Sequence, residues 1–363
     1  MSAAPGMGPG RGRRPGVKRM GSQVVVARGR RRPTIEDVAA AAGVSRGTVS
    51  RVLNGGVNVS PTALNAVQKA IKQTGYVVNT HARSLVTQRS GSVAFILSEP
   101  QEKFFEDPNF QVLLRGCTQA LADHDMPLLL SIAESEQDRE RVVRFIAGGH
   151  VDGALLVSTH AGNPVIGRLA SLGIPTVACG LPIGYESEVA YVAVNESEGA
   201  RLATAHLASV GRRRIATVTG PLDTPGGRDR LGGYKEALAA AGIGFGQDLI
   251  ALGDYTRHSG QTAMEQLLRT APDLDAVFVA SDLMVLGAMV ALERAGRSVP
   301  GDVAVVGFDD SPAAAAARPA LTTVRQPWRR VCREMVRLLL ALLDGQEPAA
   351  VILPVELVLR ETA

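Results

Sequence analysis

TIEDVAAAAGVSRGTVSRVLN, residues 34–54, decides how this chain is read. Thr34 stands where a helix N-cap is wanted, and Ile35, Val38 and Ala39 follow as an i, i+3, i+4 apolar stripe. Gly43 falls where that helix must stop and the chain must turn, a place where a residue free to adopt positive φ costs little. Ser45 is set to cap a second helix with Val49, Val52 and Leu53 on its inner face. The outer face of that second helix carries Arg46, Thr48, Ser50, Arg51 and Asn54, all able to donate hydrogen bonds to phosphates or base edges. Small helical hairpins are common. A short pair with a glycine turn and a donor-rich outer face on its second member points to a helix-turn-helix in a DNA major groove.

Working outward, VNVSP (57–61) places Ser60 as a cap and Pro61 at the first position of a third helix. That helix runs through Ala66, Val67, Ala70 and Ile71 to Gly75, with Tyr76 closing a small three-helix core. NTHARSLVTQRSG (79–91) is poor in bulky apolar residues and reads as a linker with one large hydrophobe, Leu85. On the other side, residues 1–32 hold nine Lys and Arg and no Asp or Glu. The formal charge of +4 therefore hides a remainder of thirty basic against thirty-five acidic residues. The composition of 1–32 fits a disordered basic tail that adds sequence-independent attraction to phosphates, and equally an extension from a start assigned too far upstream.

At 363 residues, 45% hydrophobic and 20% charged, the chain has room for two or three cores of ordinary composition. Cys117, Cys179 and Cys332 are far apart, with no CxxC and no Cys/His clustering, which suits a reducing cytoplasm better than a disulfide framework or a metal site. No apolar run reaches the roughly 20 residues that span a bilayer, and the N-terminus lacks a secretory h-region.

From residue 92 onward short apolar runs alternate with helix-length segments. The runs at 92–97, 127–132, 152–157, 175–180, 214–220, 276–281 and 302–308 are separated mostly by amphipathic stretches such as 109–124, 135–147 and 228–241. This βα alternation predicts parallel sheets covered by helices on both faces, too many units for one sheet, hence two lobes with a cleft between them. Ligands in such folds sit at the carboxyl ends of strands. The polar residues there are Ser98, Ser281, Asp282 and Asp309, with Arg230 presented by a Gly/Pro-rich loop at the mouth of a helix and Tyr255 in GDYTRHSG. An arginine fork, an aromatic face and a carboxylate suit a polyhydroxylated ring. Asn109 and Phe110 of FEDPNF (105–110) are further cleft-wall candidates; Asp282 and His258 read equally well as helix caps. There is no GxSxG, HExxH or GxxxxGK[ST] and no pair of carboxylates at an obvious catalytic spacing, so neither an enzyme nor a cofactor is expected.

TIEDVA..AGVS..TVSRVLN followed by VNVSP and GYVVN closely resembles the lac-repressor/galactose-repressor (LacI/GalR) family of bacterial transcription regulators, and the resemblance runs along nearly the whole chain from residue 34. It implies an α/β chain: a helix-turn-helix domain (33–78), a hinge (79–91) and a periplasmic-binding-protein-like core. The core's lobes would be 92–193 with 326–346, and 194–325 with 347–363, the chain crossing between them near 194, 325 and 347. It implies a cytoplasmic homodimer, without a membrane partner, on a near-palindromic operator. Arg46 and Arg51 would read bases, Gly47 would leave one position less discriminated, and Thr34, Ser45, Thr48, Ser50 and Asn54 would meet phosphates. Leu85 would wedge into the minor groove. Arg230, Tyr255 and Asp309 match effector-binding positions, Ser281 stands where many members have Asn, and Gly180 where the lac repressor has an aspartate. The expected function is repression of carbohydrate-use genes, relieved or enforced by a small sugar. A nucleobase- or phosphosugar-responsive regulator stays open, because Arg230 and Tyr255 suit a purine too. A sugar-binding protein without a DNA role would lack the helix-turn-helix.

Overall fold

A computed structural model describes residue 31 and residues 33–53, 59–77 and 89–363. The expectations placed on the basic tail, on Asn54, on Leu85 and on most of the 79–91 hinge lie outside them. The chain divides into two compact units, Met1–Asn79 and Thr80–Ala363.

The first unit is built on three helices. In α1 (Ile35–Ala42) the Thr34 hydroxyl accepts from the Asp37 N–H while Asp37 takes the Thr34 N–H, a reciprocal cap, and Gly43 ends the helix at φ +65°. In α2 (Arg46–Leu53) the Ser45 Oγ accepts from the Thr48 N–H at 3.1 Å. α3 (Pro61–Thr74) starts on Ser60 with Pro61 in its first turn. Val38, Val49 and Val67 are completely buried where the helices meet, with Ala39 and Ala70, and Tyr76 packs against them. Each buried valine contributes roughly 1.5–3 kcal/mol, enough to hold so small a core once the caps have satisfied the helix ends.

The second unit holds two six-stranded sheets. The first has the order β11-β5-β4-β3-β1-β2: β1 (Val93–Leu97), β2 (Leu128–Ile132), β3 (Gly153–Val157), β4 (Thr176–Cys179), β5 (Ala190–Val194) and β11 (Ala350–Leu353), all parallel. The second has the order β12-β10-β9-β8-β6-β7: β6 (Ile215–Thr219), β7 (Ile250–Leu252), β8 (Ala276–Val279), β9 (Ala304–Asp309), β10 (Thr322–Arg325) and the antiparallel edge strand β12 (Glu356–Val358). Central strands are buried throughout, as expected where helices cover both faces. Five helices serve the first lobe: α4 (Gln101–Glu106), α5 (Pro108–Ala122), α6 (Glu136–Ala147), α7 (Pro164–Ser171) and α13 (Trp328–Leu343). The second lobe has α8 (Glu196–Ser209), α9 (Pro225–Ala240), α10 (Arg257–Thr270), α11 (Asp282–Arg294) and α12 (Pro312–Ala316). In the first lobe α5 and α13 cover one face and α6 and α7 the other; in the second, α10 and α11 cover one face and α8 and α9 the other.

Two expectations are corrected. The third crossing lies after Leu353 and not near 347, because AVIL (350–353) finds a parallel neighbour in β5. Pro354, which lacks an N–H for a further ladder bond, follows directly. The helix expected over 228–241 starts three residues earlier, so the Gly/Pro-rich loop expected to present Arg230 at its mouth is already helical there: Thr224 caps α9 at the Gly227 N–H, and Pro225 occupies its first turn. Two of its four glycines, Gly227 and Gly233, serve close packing. A Cβ on Gly227 would overlap the Pro221 carbonyl, and one on Gly233 the Ser197 carbonyl of α8.

Candidate nucleic-acid interface and interlobe cleft

The exposed face of α2 carries Arg46, Gly47 and Arg51, with Thr48 and Ser50 half-buried beside them. Arg46 Nε lies 3.5 Å from Glu36 on α1. Arg51 Nε donates to the Gly47 carbonyl at 3.3 Å, which draws its guanidinium back along the helix. Thr34 and Ser45 spend their hydroxyls on caps, and the Ser45 and Thr48 hydroxyls sit 3.0 Å apart. The two arginines are therefore the long donors this face presents, on a helix whose inner residue Val49 fixes its rotation.

In the second unit the carboxyl ends of both sheets face one cleft. Arg230 is its centre. From the second turn of α9 it reaches the Glu196 carboxylate, Nε to Oε2 at 2.7 Å, and donates through Nη1 to the Ala280 carbonyl. Its guanidinium lies over the Phe308 ring at 3.7 Å from the centroid and 5.8 Å from that of Tyr255. Burial works against this charge, but Glu196 first, then Tyr255 and Asp309, hold the guanidinium firmly protonated. Tyr255 takes φ +71°, and its ring occupies the space that a side chain on Gly220 would need. Asp309, only 4% exposed and at φ +118°, accepts from Gln326 Nε2 at 2.7 Å. Burial drives its carboxyl well above the usual carboxylate range, Arg230 pulls it back, and Asp282 and Asp107 push it further up. Positive φ at Tyr255 and Asp309 is backbone strain held at the cleft.

Ser281 reaches the cleft wall, yet its hydroxyl is the cap of α11, accepting from the Met284 N–H at 3.2 Å. Asp282 is not the cap. Its carboxylate takes the Ser311 N–H at 2.7 Å and the Thr323 hydroxyl at 2.6 Å, and burial pushes it up to about 7. His258 does not cap either: Thr256 caps α10, and His258 is exposed. Ser98 does not line the cleft. Side chains alternate along the extended segment after β1, so the Ser98 hydroxyl is buried without a partner and Glu99 faces the opening. Asn109 and Phe110 line the wall, and so does Gly180, whose φ of +95° would strain an aspartate there.

Sequence reasoning passed over several residues. Trp328, at the start of α13, lines the cleft with its indole N–H buried and unpartnered. Glu196 and Gln326 hold Arg230 and Asp309. His160 joins the lobes: Nε2 lies 3.0 Å from Glu99 in the first and Nδ1 2.8 Å from Asp223 in the second, and the Ala161 N–H donates to the Asp223 carbonyl at 2.7 Å. The Glu99 hydrogen bond, outweighing burial, and the Asp223 bond hold the imidazole above its ordinary value. Glu196 and Gln326 each follow a crossing, which is the signal that would have found them. Among the described residues no His, Cys, Asp and Glu group is arranged to hold a metal ion.

Residues 34–79 match the pattern of "Bacterial regulatory proteins, lacI family" and residues 204–363 that of a "Periplasmic binding protein-like domain". The "HTH-type transcriptional regulator CelR" of Thermobifida fusca is 47% identical over 336 residues, 92% of this chain and 99% of the relative. The chain belongs to the lacI family of bacterial regulatory proteins. As a member it is a transcriptional regulator and not an enzyme. Among solved structures, a "transcriptional regulator CelR-cellobiose complex" is 45% identical with a TM-score of 0.74 over 92% of this chain and all of that one. The lac repressor dimer bound to operator and the anti-inducer ONPF is 27% identical with a TM-score of 0.81, covering 92% of this chain and 99% of that chain. Among the described residues, no helix is long and apolar enough to cross a membrane.

Proposed function

We propose that this lacI-family regulator is a cytoplasmic homodimeric repressor of carbohydrate-use genes, released from or fixed to a near-palindromic operator by a neutral disaccharide of the cellobiose type. The observation that carries the effector reading is the charge balance of the cleft. Its wall carries Glu99, Glu106, Asp107, Glu196, Asp229 and Asp309 against Lys103 and Arg230. Arg230 is already paired with Glu196, and Lys103 with Glu99 at 3.0 Å, so neither cation is left over for a phosphate. An anionic effector would find no free cation in a low-dielectric site whose acidic side chains Asp107, Asp229 and Asp309 are already pushed by burial away from carrying charge. A neutral polyol meets what it needs: carboxylates and amides that bond hydroxyl pairs, and the Tyr255, Trp328 and Phe110 rings that pack on C–H faces. The phosphosugar alternative is disfavoured on the same ground, and cellobiose enters through the relative's complex.

Operator recognition rests on α2, with Arg46 and Arg51 reading bases, Thr48 and Ser50 meeting phosphates, and Thr34 and Ser45 setting the helix starts that place the domain on them. A sugar that draws the lobes together would bias the operator-bound state by about 1–3 kcal/mol. The test is fluorescence anisotropy of the full chain on its own upstream DNA, titrated with cellobiose, maltose, glucose 6-phosphate and purines. The reading expects cellobiose to change operator affinity about 5- to 150-fold while the phosphorylated sugar and the purines do nothing. A response to glucose 6-phosphate or to a purine alone would overturn the neutral-sugar reading.

A further inference from the structure

We infer that the cleft continues into an outer subsite for a third pyranose ring, so that a neutral trisaccharide binds more tightly than a disaccharide; this rests on the neutral-sugar reading above. A groove between α4–α5 of the first lobe and α11–α12 of the second shares Glu106, Asp107, Asn109, Leu283 and Asp309 with the main cleft. A ligand chain leaving Asp309 therefore passes along Asn109 directly into the groove. Beyond the shared residues the groove is walled by Phe105, Pro108, Gln111, Leu286, Ser311 and Ala313.

The side on which the groove opens is fixed by the sheets. The lobes are tied on the α7 and α9 side, where His160 and the Ala161 N–H meet Asp223. The groove leaves on the other side, between helices that cover the opposite sheet faces. A chain longer than the cleft has its way out there.

The chemistry of the walls fits a sugar. Phe105 is 63% exposed, a large apolar ring at the groove's rim, and edge contact with Phe104 at 5.2 Å between centroids sets its orientation. An exposed aromatic beside carboxylates and an amide is what packs a pyranose face while its equatorial hydroxyls are bonded. Asn109 gives its backbone N–H to Asp107 at 2.9 Å, and its side-chain amide makes no bond among the described residues. Placed between cleft and groove, that amide is positioned to bond hydroxyls of two successive rings. Glu106 and Asp107 at the junction reject an anionic extension as they do an anionic ligand in the cleft.

Isothermal titration of the full chain with cellobiose and cellotriose tests this, in the parent and in Phe105→Ala. Phe105 lines the groove and not the main cleft, so cellobiose affinity in the variant reports whether the fold and the inner site are intact. The expected result is cellotriose binding about three- to tenfold tighter than cellobiose in the parent, with that advantage lost in Phe105→Ala and cellobiose unchanged. Cellobiose binding with cellotriose equal or weaker, or an advantage that survives Phe105→Ala, overturns the outer subsite and leaves the effector reading standing. Binding of neither sugar, with operator binding intact, overturns both.

Discussion

Arg230 shows what one residue can do when its surroundings are arranged around it. A buried guanidinium is tolerable only with its charge compensated, and Glu196 at 2.7 Å is the group that does so. Glu196→Gln keeps the volume and an acceptor but removes the charge. The expected result is a loss of effector affinity of at least about tenfold with operator affinity in the absence of sugar unchanged, read by titration calorimetry and anisotropy on the same preparation. Arg51 is the counterpart in the first unit. Arg51→Ala should weaken specific operator binding about 5- to 150-fold, the worth of one bidentate base contact, and leave sugar binding as it was. If both substitutions damaged the same activity, the assignment of two separate sites would fail.

Elements explain which parts of the fold were legible beforehand. The helix-turn-helix could be read because its signals are local: Thr34, Ser45 and Ser60 are caps within a few residues of what they cap. Strands buried on both faces, such as β1 and β3, stood out as unbroken apolar runs. β7 is three residues long and β10 is TTVR, half threonine, so neither carries a pattern that periodicity can detect. The start of helix α9 was placed three residues late, at 228, for a stronger reason. Pro225, Gly226 and Gly227 look like a loop because glycine's cost in a helix is local, while its benefit, a carbonyl lying where a Cβ would be, as that of Pro221 does at Gly227 and that of Ser197 on α8 at Gly233, comes from the surrounding fold. In the same way, family position pointed to Arg230, Tyr255 and Asp309, but the partners Glu196, Gln326 and Trp328 come from segments that only the three crossings bring alongside. Gly233→Ala puts the packing argument to a thermal melt. Pushing α8 and α9 apart should cost about 1–3 kcal/mol, or roughly 2–4 °C of melting temperature for each kcal/mol. A melting temperature equal to the parent's would show that the helices have slack to give.

For the second unit as a whole, the question is what holds the lobes together. His160 is the polar tie between them, facing Glu99, Asp223 and, through Glu99, Lys103 and Ser158. Its folded-state pKa is raised, so the tie is complete below the ordinary histidine value and fades as pH rises through the raised one. Sugar dissociation, followed by stopped-flow through the Trp328 fluorescence, should therefore speed up by as much as about tenfold on going from acid to alkaline pH. In Asp223→Asn that pH dependence should flatten; a profile identical to the parent's would remove His160 from the role. The crossings give the tie its mechanical meaning. They leave β5, β10 and β11, next to one another at one edge of each sheet, and Arg325 at the second crossing holds Asp310 and Glu356 at 2.6 Å each. Like a door hung on three pins in a row, such a joint swings freely about a single line but resists sliding and twisting. His160 and Asp223, which follow β3 and β6 away from that edge, act where a latch belongs. Small forces there have a longer lever arm than at the pins, so one hydrogen-bonded imidazole can bias the swing of an entire lobe.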